Sequence, residues 1–180
     1  MKKILAIIMC MATVLCLASC GGGSDKETTR ISPDELLTAD TVSDITGVTM
    51  KADKEGVTND GSARTVVYVP NPIGSADTVT VSIEQFSESV TTNQVWADYE
   101  NSRIRRKDME FVEGIGEDCY IAYPCINVYV RGCFIRISAG SGDNDEQADL
   151  LKSLATSAAL KVEGMITPEQ VEAANANVLK

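Results

Sequence analysis

The sequence predicts an α+β fold in which an antiparallel sheet is packed between helices, and three observations predict it. Apolar and polar residues alternate strictly through 78–86 (TVTVSIEQF), the period-2 pattern of a half-buried strand. A dense run of β-branched and aromatic residues at 119–138, CYIAYPCINVYVRGCFIRIS, is broken by turn residues into hairpins. Helical spacing comes before, between and after these strands, an order that belongs to α+β rather than to a parallel α/β sheet.

The first helical element has Thr38 as its N-cap, with Leu37 and Val42 at the N′ and N4 positions of a hydrophobic staple and Gly47 at C′. Ser32, with Pro33 at N1 and Glu35 at N3, caps a separate turn ahead of it. Strands follow at 64–69 (RTVVYV) and 78–86; the loop between them, rich in Pro, Asn, Gly and Asp, is excluded from sheet interior. Over 92–107 the residues Val95, Trp96, Tyr99 and Arg103 fall on one side of a helix. A short strand near 109–112 leads into the turn Gly114-Ile115-Gly116-Glu117-Asp118. Two-residue turns at Pro124-Cys125 and Arg131-Gly132 then pair Tyr123 with Ile126 and Val130 with Cys133. Asp143 with Glu146 reads as the capping box of a helix running to about Leu160, and Thr167-Pro168-Glu169-Gln170 opens a last one.

That hairpin register puts Cys119, Ile121, Tyr123, Ile126, Val128, Val130, Cys133, Ile135 and Ile137 on one face, as a core. Cys119 and Cys133 then flank Val130 on outer strands, roughly 10 Å apart and beyond the ~7 Å Cα limit for a disulfide, while Cys125 sits at the far end of the ladder. Three unpaired thiols are expected; a slipped register would instead bridge Cys119 to Cys125. In an exported chain, unpaired thiols point to a reducing habitat. The opposite face lines up Tyr120, Tyr129 and Phe134, with Asn127 and Arg136 in the next row. Tyr120, Tyr129, Phe134 and Arg136 form the candidate ligand face. Either the Trp96–Tyr99 helix covers the rings, or they stand open as an aromatic platform with a charged end for a small or peptide ligand.

The N-terminus carries a different message. Lys2 and Lys3 precede an apolar run over 4–17 that, at 1.5 Å per residue, is shorter than the ~20 residues that span a bilayer. Its end, Leu17-Ala18-Ser19-Cys20, resembles the lipobox of bacterial lipoproteins. The resemblance implies that Leu17 fills a pocket of the lipoprotein signal peptidase and that Ala18 and Ser19 pass its active site. It further implies that Cys20 accepts a thioether-linked diacylglycerol and becomes residue one. Two acyl chains, at about 0.8 kcal/mol per buried CH₂, anchor a protein stably where one does not. Gly21-Gly22-Gly23-Ser24 and the polar residues up to Arg30 then serve as a flexible tether. The expected organisation is a signal peptide at 1–19, lipidated Cys20 and tether at 20–30, a globular domain at 31–162 and a C-terminal helix at 163–180. Gly21, rather than Asp, follows Cys20, and the expected location is the extracytoplasmic face of a Gram-positive cell membrane.

Charge and composition exclude other classes. With 26 acidic against 16 basic side chains the net charge is −10, which argues against nucleic acid or another polyanion as the main partner. The chain has no histidine, which rules out Ser-His-Asp and Cys-His nucleophiles and histidine zinc sites. No serine lies three residues before a lysine, and a single tryptophan offers little to line a sugar groove. The acidic loop at 142–146 lacks the alternating ligand spacing of an EF-hand and reads as a helix cap, so neither metal nor cofactor is expected. Arg103, Arg105, Arg106 and Lys107 answer a helix dipole, or meet anionic headgroups beneath a tethered domain.

The Leu36-Leu37-Thr38-Ala39 start, the Gly114-Ile115-Gly116-Glu117-Asp118 turn before a hairpin and the closing amphipathic helix resemble small actinobacterial lipoprotein domains of unknown function. The likeness covers roughly residues 36–160 and implies a PsbP-like α/β sandwich, a fold that names no ligand. The expectation is a non-enzymatic, lipid-anchored surface protein with a binding or interaction role. Its partners are the membrane, through the acyl chains on Cys20, and an envelope protein or small ligand. One rival is a carrier of a lipid or small solute, which needs a concave apolar pocket; another is an envelope enzyme, which needs perturbed carboxylates in a cleft.

Overall fold

The computed structural model describes residues 30–60 and 63–177, without the side chains of 54–60 and 177. In chain order the elements are α1 (Pro33–Leu36), α2 (Ala39–Thr46), β1 (Met50–Asp60), β2 (Ala63–Pro70), β3 (Val79–Gln85) and α3 (Thr92–Ile104). After them come β4 (Glu110–Phe111), β5 (Asp118–Ala122), β6 (Cys125–Val130), β7 (Cys133–Ala139), α4 (Asp145–Met165) and α5 (Pro168–Asn177). The strands form one seven-stranded sheet in the order β1-β2-β3-β7-β6-β5-β4, antiparallel at every step. Helices α1, α2 and α4 pack on one face and α3 on the other, so the fold is α+β.

The sheet consists of two meanders, β1-β2-β3 and β4-β5-β6-β7, joined where β3 pairs with β7. Period-2 alternation builds the main core. Val66 and Tyr68 of β2, Val81 and Ile83 of β3, Ile135 and Ile137 of β7, and Ile126 and Val128 of β6 are all buried on the face that α4 covers. Against them α4 lays Leu151, Leu154, Ala155, Ala158 and Val162, a stripe at helical spacing. Burial of each large aliphatic side chain contributes about 1.5–3 kcal/mol. Tyr68 fixes the N-terminal helices to this core, its buried hydroxyl donating to the Leu37 carbonyl.

The caps follow their chemistry. The Thr38 hydroxyl accepts from the Thr41 N–H, and Gly47 closes α2 in the left-handed region at φ +70°, which glycine adopts without steric cost. Thr167 and Gln170 exchange backbone and side-chain hydrogen bonds at the start of α5, and Thr92 bonds to Asn175, which ties α5 to α3.

Four expectations are corrected. Strand β1 was not expected, because MKADKEGVTND carries charges and a glycine where strands usually carry β-branched residues; as an edge strand it needs only one partner. The first hairpin turns at Tyr123-Pro124, pairing Ala122 with Cys125 and Ile121 with Ile126. Either turn keeps Pro124, which has no N–H to donate, out of the ladder, so the proline does not choose between them. The two-residue shift moves Tyr123 from the core face into the turn but leaves the side chains that stay in the strands on their expected faces. Helix α3 stops at Ile104 rather than continuing to Lys107. Helix α4 is capped by Asn144, which accepts from the Gln147 N–H, not by Asp143, and it runs past Leu160 to Met165 before α5 begins at Pro168.

Candidate functional site

Cys20 and most of the expected tether lie outside the described residues. The candidate ligand face lies within them, and its geometry is set by α3. The Thr91 hydroxyl and the Gln94 side chain form a capping box that starts the helix, and the i, i+3, i+4, i+7 spacing of Thr92, Val95, Trp96 and Tyr99 turns one side to the sheet.

Tyr99 is fully buried and stands at the centre of a ring cluster. Its centroid lies 5.5 Å from Trp96, 5.4 Å from Tyr120, 5.8 Å from Tyr129 and 5.4 Å from Phe134, the last contact edge-on at 84°. Trp96 meets Tyr129 at 4.7 Å in a T-shaped contact. Such tilted and edge-on pairs contribute about 0.5–1.5 kcal/mol each beyond the area they bury. Tyr120 is sealed, and Tyr129 and Phe134 keep only 9% and 8% of their surface. The helix therefore covers the rings, and they do not form an open platform. Burial drives the Tyr99 phenol far above its usual range and pushes Tyr129 up to about 12, assisted there by Glu117 and Cys133.

Arg136 is the member of the predicted set that meets solvent. Its guanidinium lies over the Phe134 ring, 5.2 Å from the centroid, while Nε donates to Asn127 Oδ1 at 3.1 Å and an Nη to Ser102 Oγ at 2.7 Å. Ser102 Oγ also accepts from the Tyr120 hydroxyl at 3.0 Å, so one α3 side chain ties the buried ring to the exposed cation. Burial raises the Tyr120 pKa, opposed by that bond and by the positive charges of Arg136, Arg106 and Arg103. Arg103 itself is paired, at 3.1 Å to Asp118 and 3.3 Å to Glu100, whereas Arg105, Arg106 and Lys107 are exposed beyond the helix end.

The turn at 114–118 is built by glycine. Gly116 sits at φ +63°, and a Cβ there would fall 2.7 Å from the Tyr129 carbonyl oxygen, the atom that accepts from the Glu117 N–H. The Glu117 carboxylate accepts from the N–H of Arg131, which holds the left-handed φ of +49° at the β6–β7 turn.

Cys119, Cys125 and Cys133 are all free. Cys119 pairs across the ladder with Val128, and Val128 with Ile135, so the path to β7 crosses an intervening strand as expected. Burial pushes the thiols of Cys119 and Cys133 up to about 12, which removes them as nucleophiles near neutral pH. Among the described residues no group of three Cys, Asp or Glu side chains is placed to hold a metal ion.

Cavities open elsewhere among the described residues. One, of about 410 Å³, lies between α2 and the start of α4, among Ile45, Thr46, Asn144, Glu146, Gln147 and Ser153. Another, of about 280 Å³, lies beside Arg64 and Gln85. Sequence reasoning passed over this second pair, although alternation carried the signal: Arg64 shares its parity with Val66 and Tyr68, and Gln85 with Val81 and Ile83, which sets both on the core face. Comparisons with protein-family models, with curated proteins and with solved structures gave no match to this chain.

Proposed function

We propose that the chain is a lipid-anchored protein of the extracytoplasmic membrane face, with a binding or interaction role and no catalytic one. The observation that carries this reading is the order of N-terminal signals: Lys2 and Lys3, an apolar run too short to span, Leu-Ala-Ser-Cys at 17–20, then a glycine-rich tether. The exposed cations Arg105, Arg106, Lys107 and Arg136 support a role for the surface in contacting partners. The cavity between α2 and α4 is lined mainly by polar side chains and the one beside Arg64 carries two arginines, a glutamine and two serines, which supports a polar ligand over an acyl chain at these two places. The helices on both faces of the antiparallel sheet agree with a PsbP-like sandwich, and we read the architecture that way.

The test is metabolic labelling of cells with a clickable fatty acid. Wild-type protein takes the label, and Cys20→Ala neither takes it nor is cleaved by the lipoprotein signal peptidase. Equal labelling of the two overturns the anchor.

A further inference from the structure

Arg64 is a charged side chain with only 9% of its surface exposed, and its electrostatic partners do not balance it. One Nη donates to the Gln85 Oε1 at 3.0 Å, a neutral acceptor that also takes the Ile31 N–H at 3.0 Å. Its Nε is buried with no acceptor among the described residues. Among the described residues no carboxylate forms an ion pair with Arg64. A guanidinium cannot shed its proton, so a buried one without an anion is costly. Burial lowers the Arg64 pKa, and the next cause is a second positive charge, Arg30.

These groups converge on one cavity. Arg30, Arg64, Gln85, Ser87 and Ser89 line the space of about 280 Å³, with Phe86 as an apolar wall. Gln85 holds Ile31 by its backbone, and Ile31 is itself fully buried, which places Arg30 at the rim. Ser87 and Ser89 are exposed and sit in a turn closed by the Ser87 N–H donating to the Val90 carbonyl at 2.8 Å. Helix α3 begins two residues beyond that turn, so the positive end of its dipole lies nearby. Glu88 is exposed in the same turn and does not line the cavity.

We propose that this cavity binds a phosphoryl group, held between the guanidiniums of Arg30 and Arg64 with the hydroxyls of Ser87 and Ser89 as further donors. Planar guanidinium forks match phosphate oxygens, and a phosphomonoester carrying between one and two negative charges near neutral pH answers two arginines where a single carboxylate would leave one uncompensated. The volume falls just below the ~300–1,000 Å³ of pockets that enclose drug-sized ligands, so the site takes a headgroup or a free ion rather than an acyl chain. The phosphoryl group comes from free phosphate or from a lipid headgroup at the membrane; the site itself does not depend on acylation of Cys20.

The experiment is thermal unfolding of the full chain in nonionic detergent, with inorganic phosphate added against chloride at matched ionic strength, and separately in micelles doped with phosphatidic acid. Ligand that binds only the native state raises the midpoint by a few degrees at saturation. A rise with free phosphate supports the site as a phosphate site; a rise with phosphatidic acid alone supports it as a headgroup site. Arg30→Gln weakens the response about tenfold, the measure of one charge-assisted hydrogen bond, and Arg64→Gln abolishes it. Lys161→Gln, an exposed change on α4, leaves it intact. If Arg64→Gln does not fold, the exposed Arg30→Gln decides. No rise with either source, an undiminished rise in Arg30→Gln, or a loss shared by Lys161→Gln overturns the proposal.

Discussion

The Tyr99 ring stands edge-on to Phe134 at 5.4 Å, and through this contact α3 is keyed to the centre of the sheet. Removing the Phe134 ring leaves a cavity beneath a helix that cannot fully collapse. Phe134→Ala is expected to cost about 3–5 kcal/mol, read from urea unfolding. Phe111→Ala, at an exposed ring on β4, is expected to stay within about 0.5 kcal/mol. A Phe134→Ala midpoint shift below a tenth of the total stability would contradict the buried cluster.

Gly116 and Gly114 both hold positive φ, yet only Gly116 has a neighbour where a Cβ would go. Alanine at either position costs roughly 1–2 kcal/mol for the left-handed backbone. Gly116→Ala also drives a methyl against the Tyr129 carbonyl, so chemical denaturation should show it as clearly the more damaging of the two. Equal losses would mean that the turn around Gly116 packs more loosely against β6 than described.

The three domain thiols differ in access. Cys125 is half-buried whereas Cys119 and Cys133 are sealed, so brief alkylation of the native protein without reductant should modify Cys125 first. Denaturation should then expose all three, as peptide mass shifts. Two protected sulfurs in the denatured monomer would reveal a disulfide and displace the observed register.

Alkaline pH should destabilise the fold. An unfolded cysteine titrates near 8.5, whereas burial holds Cys119 and Cys133 near 12. Between those values the native state binds more protons than the unfolded state, so stability is full below about pH 8.5 and falls as pH rises toward 12. Urea midpoints measured across that window should decline, and Cys119→Ala should flatten the decline.

Much of this architecture can be read from residue patterns. The Thr38 cap, the alternation of β2 and β3 and the Arg131-Gly132 turn are local signals, and each element forms where its signal lies. Strand β1 escapes because tertiary pairing, not propensity, makes it a strand. The ring cluster is readable as a row on one face, but its cover depends on the docking of α3, which no local pattern dictates. The Arg64 cavity is hidden for a related reason: a charged residue at a core parity signals a site only once its partners are known.

The union of the two meanders has a kinetic consequence. Within β1-β2-β3 and within β4-β5-β6-β7 each strand pairs with a sequence neighbour, and the loops that close these hairpins are short. The β3–β7 ladder, where Val81 meets Ile137 and Ile83 meets Ile135, instead closes a segment that contains α3 and three strands. Loop-closure entropy falls most heavily on that seam, so joining the halves is expected to limit the folding rate. A chain stalled before that step would expose the inner edges of both meanders, one carrying Val79, Val81 and Ile83 and the other Ile135 and Ile137.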